Sequence, residues 1–155
     1  MDEARRKELI EQYRNGYQMI VDALDSISEV ELDAREGPGE WSPREVVHHL
    51  ADSEMASALR LRKLVAEDNA EIIGYDQDLY VQELFYDRPI EPSLQAFRYA
   101  RESTSQILDR MTADQWQREG THSESGRYRL TDWLEIYAQH AVEHADQIRR
   151  ARATV

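Results

Sequence analysis

The sequence predicts an all-α fold, a four-helix bundle with a long crossover between helices two and three. Three observations lead there. Apolar residues recur at spacings of three and four in four separate stretches, turn-forming residues gather between those stretches, and no alternating apolar–polar run reaches useful strand length. At 155 residues, 41% of them hydrophobic, the chain fits one domain over 1–155 with a core of its own.

From Asp2 to about Ile27, Leu9, Tyr13, Tyr17, Ile20, Leu24 and Ile27 mark one face of helix one. Gly37, Pro38 and Gly39 then break the chain. Ser42 and Pro43 read as an N-cap and a first-turn residue, and Glu45 completes a capping box, so helix two starts there and runs to about Ala66. Between Asn69 and Pro92 the glycine, the prolines and the aromatics follow no long period and predict a structured crossover with one short helical turn. Pro92 and Ser93 open helix three, which Leu94, Phe97, Thr104 and Leu108 carry to about Arg110. Gly120 and Gly126 lie in a polar loop with a small hairpin around Ser125-Gly126. Thr131 and Asp132 lead into helix four, where Leu134, Tyr137, Ala141, Ala145 and Ile148 keep the helical period and Arg149, Arg150 and Arg152 complement the dipole at its end.

Composition excludes several functions. The absence of cysteine rules out disulfides, thiolate metal sites and cysteine nucleophiles and fits a reducing cytoplasm. The charged N-terminus does not read as a signal peptide, and no apolar stretch is long enough for a membrane helix. A net charge of −12 repels phosphate backbones and anionic lipid, so neither nucleic acid nor membrane is an expected partner.

The five histidines are His48, His49, His122, His140 and His144. His140 and His144, spaced i, i+4, stack one turn apart on the same helix face, where two ring nitrogens can converge on one ion. A catalytic site typically has three protein ligands plus water, so a third ligand must come from elsewhere. His49 lies on the flank of the apolar stripe of helix two, about 60° from Val46, and His48 lies farther round. Spacing alone supports a metal site and a hydrogen-bonded polar cluster equally. His48 and His122 are expected to be exposed or locally hydrogen-bonded.

The run Trp41-Ser42-Pro43-Arg44-Glu45-Val46-Val47-His48-His49-Leu50-Ala51-Asp52-Ser53-Glu54-Met55 resembles the helix-two signature of the DinB/YfiT-like superfamily of bacterial metalloproteins. His140-x-x-x-His144-x-x-Gln147-Ile148 resembles its helix-four partner, and Tyr75-Asp76-Gln77-Asp78 before Leu79-Tyr80 is similar to the crossover of the YfiT-like branch. The resemblance covers almost the whole chain. It implies a bundle of DinB/YfiT type in which helices two and four converge, with His49, His140 and His144 holding a divalent metal, zinc or nickel first and iron after them. It also implies a metal-dependent hydrolase or a transferase of a low-molecular-weight thiol, a small-molecule substrate and a homodimer. Helix four reads HAVEH where that branch often carries further histidines. Glu54 stands where some relatives have a histidine and is expected to be a solvated acid.

Three neutral ligands leave the ion its full charge, which lowers the pKa of a bound water towards about 7, and the same open position accepts a thiolate. Hydrolysis needs a general base, and Asp52 and Glu143 are the carboxylates the sequence places nearby. HAVEH also matches the inverted zinc-protease pattern H-x-x-E-H, but so short a pattern arises easily by chance. Tyr75 and Tyr137, with Tyr80 and Tyr86, are candidates to line a pocket over the metal, Tyr75 and Tyr137 being the ligand-contacting pair. The alternative to an enzyme is a non-catalytic metal-binding or interaction scaffold of the same fold.

Overall fold

The computed structural model describes all 155 residues. Its elements are α1 (Glu3–Ala23), α2 (Glu29–Leu32), α3 (Pro43–Ala66), β1 (Ala70–Ile72), α4 (Gln77–Glu83), α5 (Glu91–Leu108), a 3-10 turn at Gln115–Gln117, β2 (Glu119–His122), β3 (Gly126–Arg129) and α6 (Leu130–Arg152). The four long helices α1, α3, α5 and α6 form the bundle the sequence predicts. No helix is long and apolar enough to cross a membrane.

Local chemistry explains the helix starts. Asp2 caps α1 by accepting from the Arg5 N–H. At α3, Ser42 Oγ accepts from the Glu45 N–H at 3.3 Å while the Glu45 carboxylate accepts from the Ser42 N–H at 2.8 Å, the reciprocal pair the sequence predicts. α1 stops at Ala23 rather than Ile27, because Ser26 takes φ 55° and a second capping box, Ser28 with Glu31, starts the short α2. That helix went unpredicted, since four residues carry no readable period.

The crossover holds more than one helical turn. Asp76 Oδ1 accepts from the Asp78 and Leu79 N–H groups and opens α4, and ahead of it β1 pairs in parallel with β2, Ala70 opposite Gly120 and Ile72 opposite His122. β2 and β3 form the predicted antiparallel hairpin, closed by Gly126 at φ 76°. A Cβ on Gly120 would collide with Ala70 O, so the two strands approach this closely only at glycine. β1 escaped prediction because three residues are too few for alternation to register.

α1 packs against α6 and α5, and α3 against α5 and α6, so α1 and α3 sit on a diagonal and α3 faces α6. The core divides into two apolar clusters, one around Tyr13, Leu61, Trp133 and Leu134 and the other around Ile20, Val46, Phe97 and Ile148. Between them runs a polar layer. Arg101 Nε donates to Glu54 Oε2 at 2.7 Å, Nη1 to Tyr13 O at 2.7 Å and Nη2 to Tyr137 O at 2.8 Å, and Tyr13 OH donates to Glu54 Oε1 at 2.5 Å. Glu54 is therefore not the solvated acid expected from sequence. It is fully buried, because the amphipathic face of α3 carries it to the bundle centre, where a guanidinium and a phenol complete its hydrogen bonds.

Candidate metal centre

His49 comes from the second turn of α3, and His140 and His144 come from the middle of α6, so the α3–α6 contact brings them together. His49 Nε2 lies 3.2 Å from His140 Nε2, and His144 Nε2 lies 3.1 Å from the same atom. One ring nitrogen from each histidine falls in a group spanning less than 4.8 Å that could hold a metal ion.

The surroundings favour three neutral rings with inward lone pairs. Burial, then the neighbouring His144, pushes His49 down to about 3. Burial also pushes His140 well below the ordinary imidazole range, reinforced by His144 and His49, and it lowers His144 against the opposing effect of Gln147. His144 Nδ1 lies 2.8 Å from Gln147 Oε1, a carbonyl oxygen that can only accept. The proton therefore sits on Nδ1 and the Nε2 lone pair faces the other rings. Trp41 closes the outer side, 4.7 Å from His49 and stacked at 12° over His144 at 6.4 Å.

This cluster fits a cation better than it fits a hydrogen-bond network. A single N–H among three converging nitrogens satisfies one contact and leaves another as lone pair against lone pair, whereas one ion satisfies all three. His140 Nδ1 is buried without a hydrogen-bond partner, so packing between Tyr137 and His49 holds that ring.

His49 and His140 form part of the wall of a cavity of about 430 Å3. Tyr75 and Tyr137 both line it. Tyr80 packs against Tyr75 with ring centres 4.7 Å apart and tilted at 34°, without lining the cavity, and Tyr86 turns away to donate to Asp52 Oδ2 at 2.6 Å. Asp52 is thus occupied by Tyr86, Glu143 is exposed on α6, and neither lines the cavity.

His48 is buried rather than exposed. Its Nδ1 lies 2.7 Å from Ser93 Oγ and its Nε2 3.0 Å from Arg88 O, which ties α3 to the end of the crossover. The bond is not local, because the crossover folds back onto α3.

A family model described as the DinB superfamily matches residues 12–148. The chain belongs to that superfamily. Among similar proteins, one from Halalkalibacterium halodurans, provisionally named a metal-dependent hydrolase, is 28% identical over 126 residues, 81% of this chain and 74% of that relative. One from Oceanobacillus iheyensis, named in the same way, is 29% identical over 130 residues, 84% of this chain and 76% of the relative. The fold matches YfiT from Bacillus subtilis, described as a probable metal-dependent hydrolase with an unusual four-helix bundle topology, at a TM-score of 0.93 and 22% identity, over 99% of this chain and 89% of that one. It matches a mycothiol-dependent maleylpyruvate isomerase at a TM-score of 0.72 and 11% identity, over 92% of this chain and 60% of that one.

Several wall residues of this DinB-type cavity escaped sequence reasoning. Ser53 and Arg60 follow His49 by four and eleven residues on α3, spacings that share one helix face and so were legible in principle. His122 and Glu124 come from the hairpin, and nothing local places a hairpin beside a helix pair. His122 is buried, and its Nδ1 accepts from the Glu124 N–H at 3.2 Å.

Proposed function

We infer that the protein is a metal-dependent hydrolase of a small-molecule substrate, with His49, His140 and His144 as ligands of a divalent ion, zinc or nickel first and iron after them. The convergence of three neutral Nε2 atoms, with His49 and His140 in the wall of a cavity, carries this reading. An ion held by three imidazoles supplies Lewis acidity and a lowered pKa for a coordinated water or thiol.

The chain's own residues supply the rest. Gln147 keeps the His144 proton on Nδ1, and Trp41 shields the outer side of the rings from water. Tyr75 and Tyr137 contact the ligand from the cavity wall. Proton transfer falls to His122 and Glu124, which line the cavity, ahead of Asp52 and Glu143, which do not. The outward position of Glu143 also counts against the inverted zinc-protease reading.

Transfer of a low-molecular-weight thiol is the second reading. It needs no general base, which suits a site whose two expected carboxylates lie outside the cavity, and the mycothiol-dependent isomerase shares the fold. A homodimer remains part of either reading.

Metal analysis of protein purified without an affinity tag tests the site. About one equivalent of zinc, nickel or iron, lost in His140→Ala, is the expected result, and its absence leaves the non-catalytic scaffold. Hydrolysis of amide and ester panels, set against conjugation of bacillithiol, mycothiol or glutathione to a model electrophile, then separates the two enzyme classes. Glu143-dependent peptide cleavage would restore the protease reading.

A further inference from the structure

Arg60 stands in the wall of the histidine cavity with no carboxylate within 4.0 Å of its nitrogens. It is nevertheless held firmly. Nη1 donates to Tyr137 OH at 2.8 Å, Nη2 donates to Ile73 O at 3.2 Å, and the guanidinium carbon sits 5.8 Å from the Tyr75 ring centre. Contacts from α6 and the crossover thus orient a planar fork that starts on α3. Two of its five N–H groups are used, which leaves the others free.

A half-buried guanidinium without a counter-charge is under-solvated, and a bidentate oxyanion is the partner its geometry suits best. The carboxylates of the same cavity do not fill that role. Asp76 and Glu124 are exposed, and Asp76 Oδ1 is engaged by the first turn of α4. They mark the mouth, while the buried His49, Ser53, His122 and Tyr137 mark the floor. Arg60 is the one arginine or lysine in this wall, which also offers Tyr75, Tyr137 and Ile136 as apolar surface.

We propose that Arg60 receives a carboxylate group of the substrate, so that the substrate class is a small carboxylic acid whose reacting group reaches the three histidines. This rests on the reading of the cavity as the substrate site. Because Arg60 follows His49 by eleven residues, about three helical turns, on one face of α3, the acid group and the reacting group lie along the helix axis.

NMR titration of the tag-free protein, with and without zinc, by phenylacetate and its neutral counterpart phenylacetamide tests the assignment. The acid should bind about tenfold more tightly than the amide in both forms. It should also shift the Arg60 Nε–H signal of the unsubstituted protein, which the amide should not. Arg60→Gln should abolish the preference and Arg60→Lys should keep part of it, with thermal unfolding and zinc content of each variant measured alongside. A preference that survives Arg60→Gln, a preference seen only with zinc, or no preference at all overturns the proposal. Failure of zinc uptake would instead sink the metal reading, and the metal-free titration would still decide Arg60.

Discussion

Glu54 and Arg101 form an ion pair at 2.7 Å in the centre of the bundle, with side chains 0% and 1% exposed. On each helix the pair's layer separates the two apolar clusters, and Arg101 also bonds carbonyls of α1 and α6. Removing one partner leaves the other charged and buried. Glu54→Ala or Arg101→Ala should therefore lower stability by about 3–5 kcal/mol, whereas a paired Glu54→Leu/Arg101→Met change should cost clearly less than the sum. Urea unfolding of the single and double variants checks this, and additive losses would contradict it.

Gly16 lies where the Arg101 guanidinium crosses α1. Helix propensity alone makes Gly16→Ala stabilising by about 1 kcal/mol. Here a Cβ would collide with Arg101 Nη1 and lie 2.8 Å from Ala141 Cβ, so the substitution should destabilise by about 1–3 kcal/mol. Combined with Arg101→Met it should be milder, a coupling that denaturant titration reads directly.

The histidine cluster predicts a pH dependence for the metal-free protein. Burial holds His49 at about 3, against an unfolded value of about 6.5. Below about 6.5 the unfolded chain binds the proton and the folded protein does not, so stability falls as pH drops from about 6.5 towards about 3 and is fully present above that window. His140 and His144 shift in the same direction and add to the slope. Melting temperature against pH should fall less steeply for His49→Asn than for the unsubstituted protein, and parallel curves would count against the assignment.

Gln147 contacts His144 at Nδ1, the ring nitrogen opposite the converging Nε2 atoms. Gln147→Ala should lower metal affinity about 10–100-fold, as for other partners that orient metal ligands, with little change in thermal stability of the metal-free protein. Competition with a chromophoric chelator measures the affinity. An unchanged value would mean that packing alone fixes the tautomer.

Most of the helical frame was legible in the residues because its signals are local. The apolar period marks the four long helices, Ser42, Pro43 and Glu45 mark the start of α3, and Gly126 marks the hairpin. α2 and β1 were not legible, since four and three residues fall below any readable period.

For the site, the i, i+4 spacing of His140 and His144 made them a pair, and the family resemblance joined His49 to them. What these residues could not settle alone is what each remaining polar group meets across the bundle. Glu54 read as a solvated acid and His48 as exposed or locally hydrogen-bonded because their partners, Arg101 and Ser93, lie 47 and 45 residues away. Arg60 was not singled out, and His122 was read only as an exposed or locally hydrogen-bonded ring, for the same reason. Their shared cavity exists only once α3, α6, the crossover and the hairpin pack together. Periodicity and caps act within a few residues and so determined the helices and one histidine pair. Burial, desolvation and charge pairing depend on neighbours distant in the chain, and only the tertiary packing decided them.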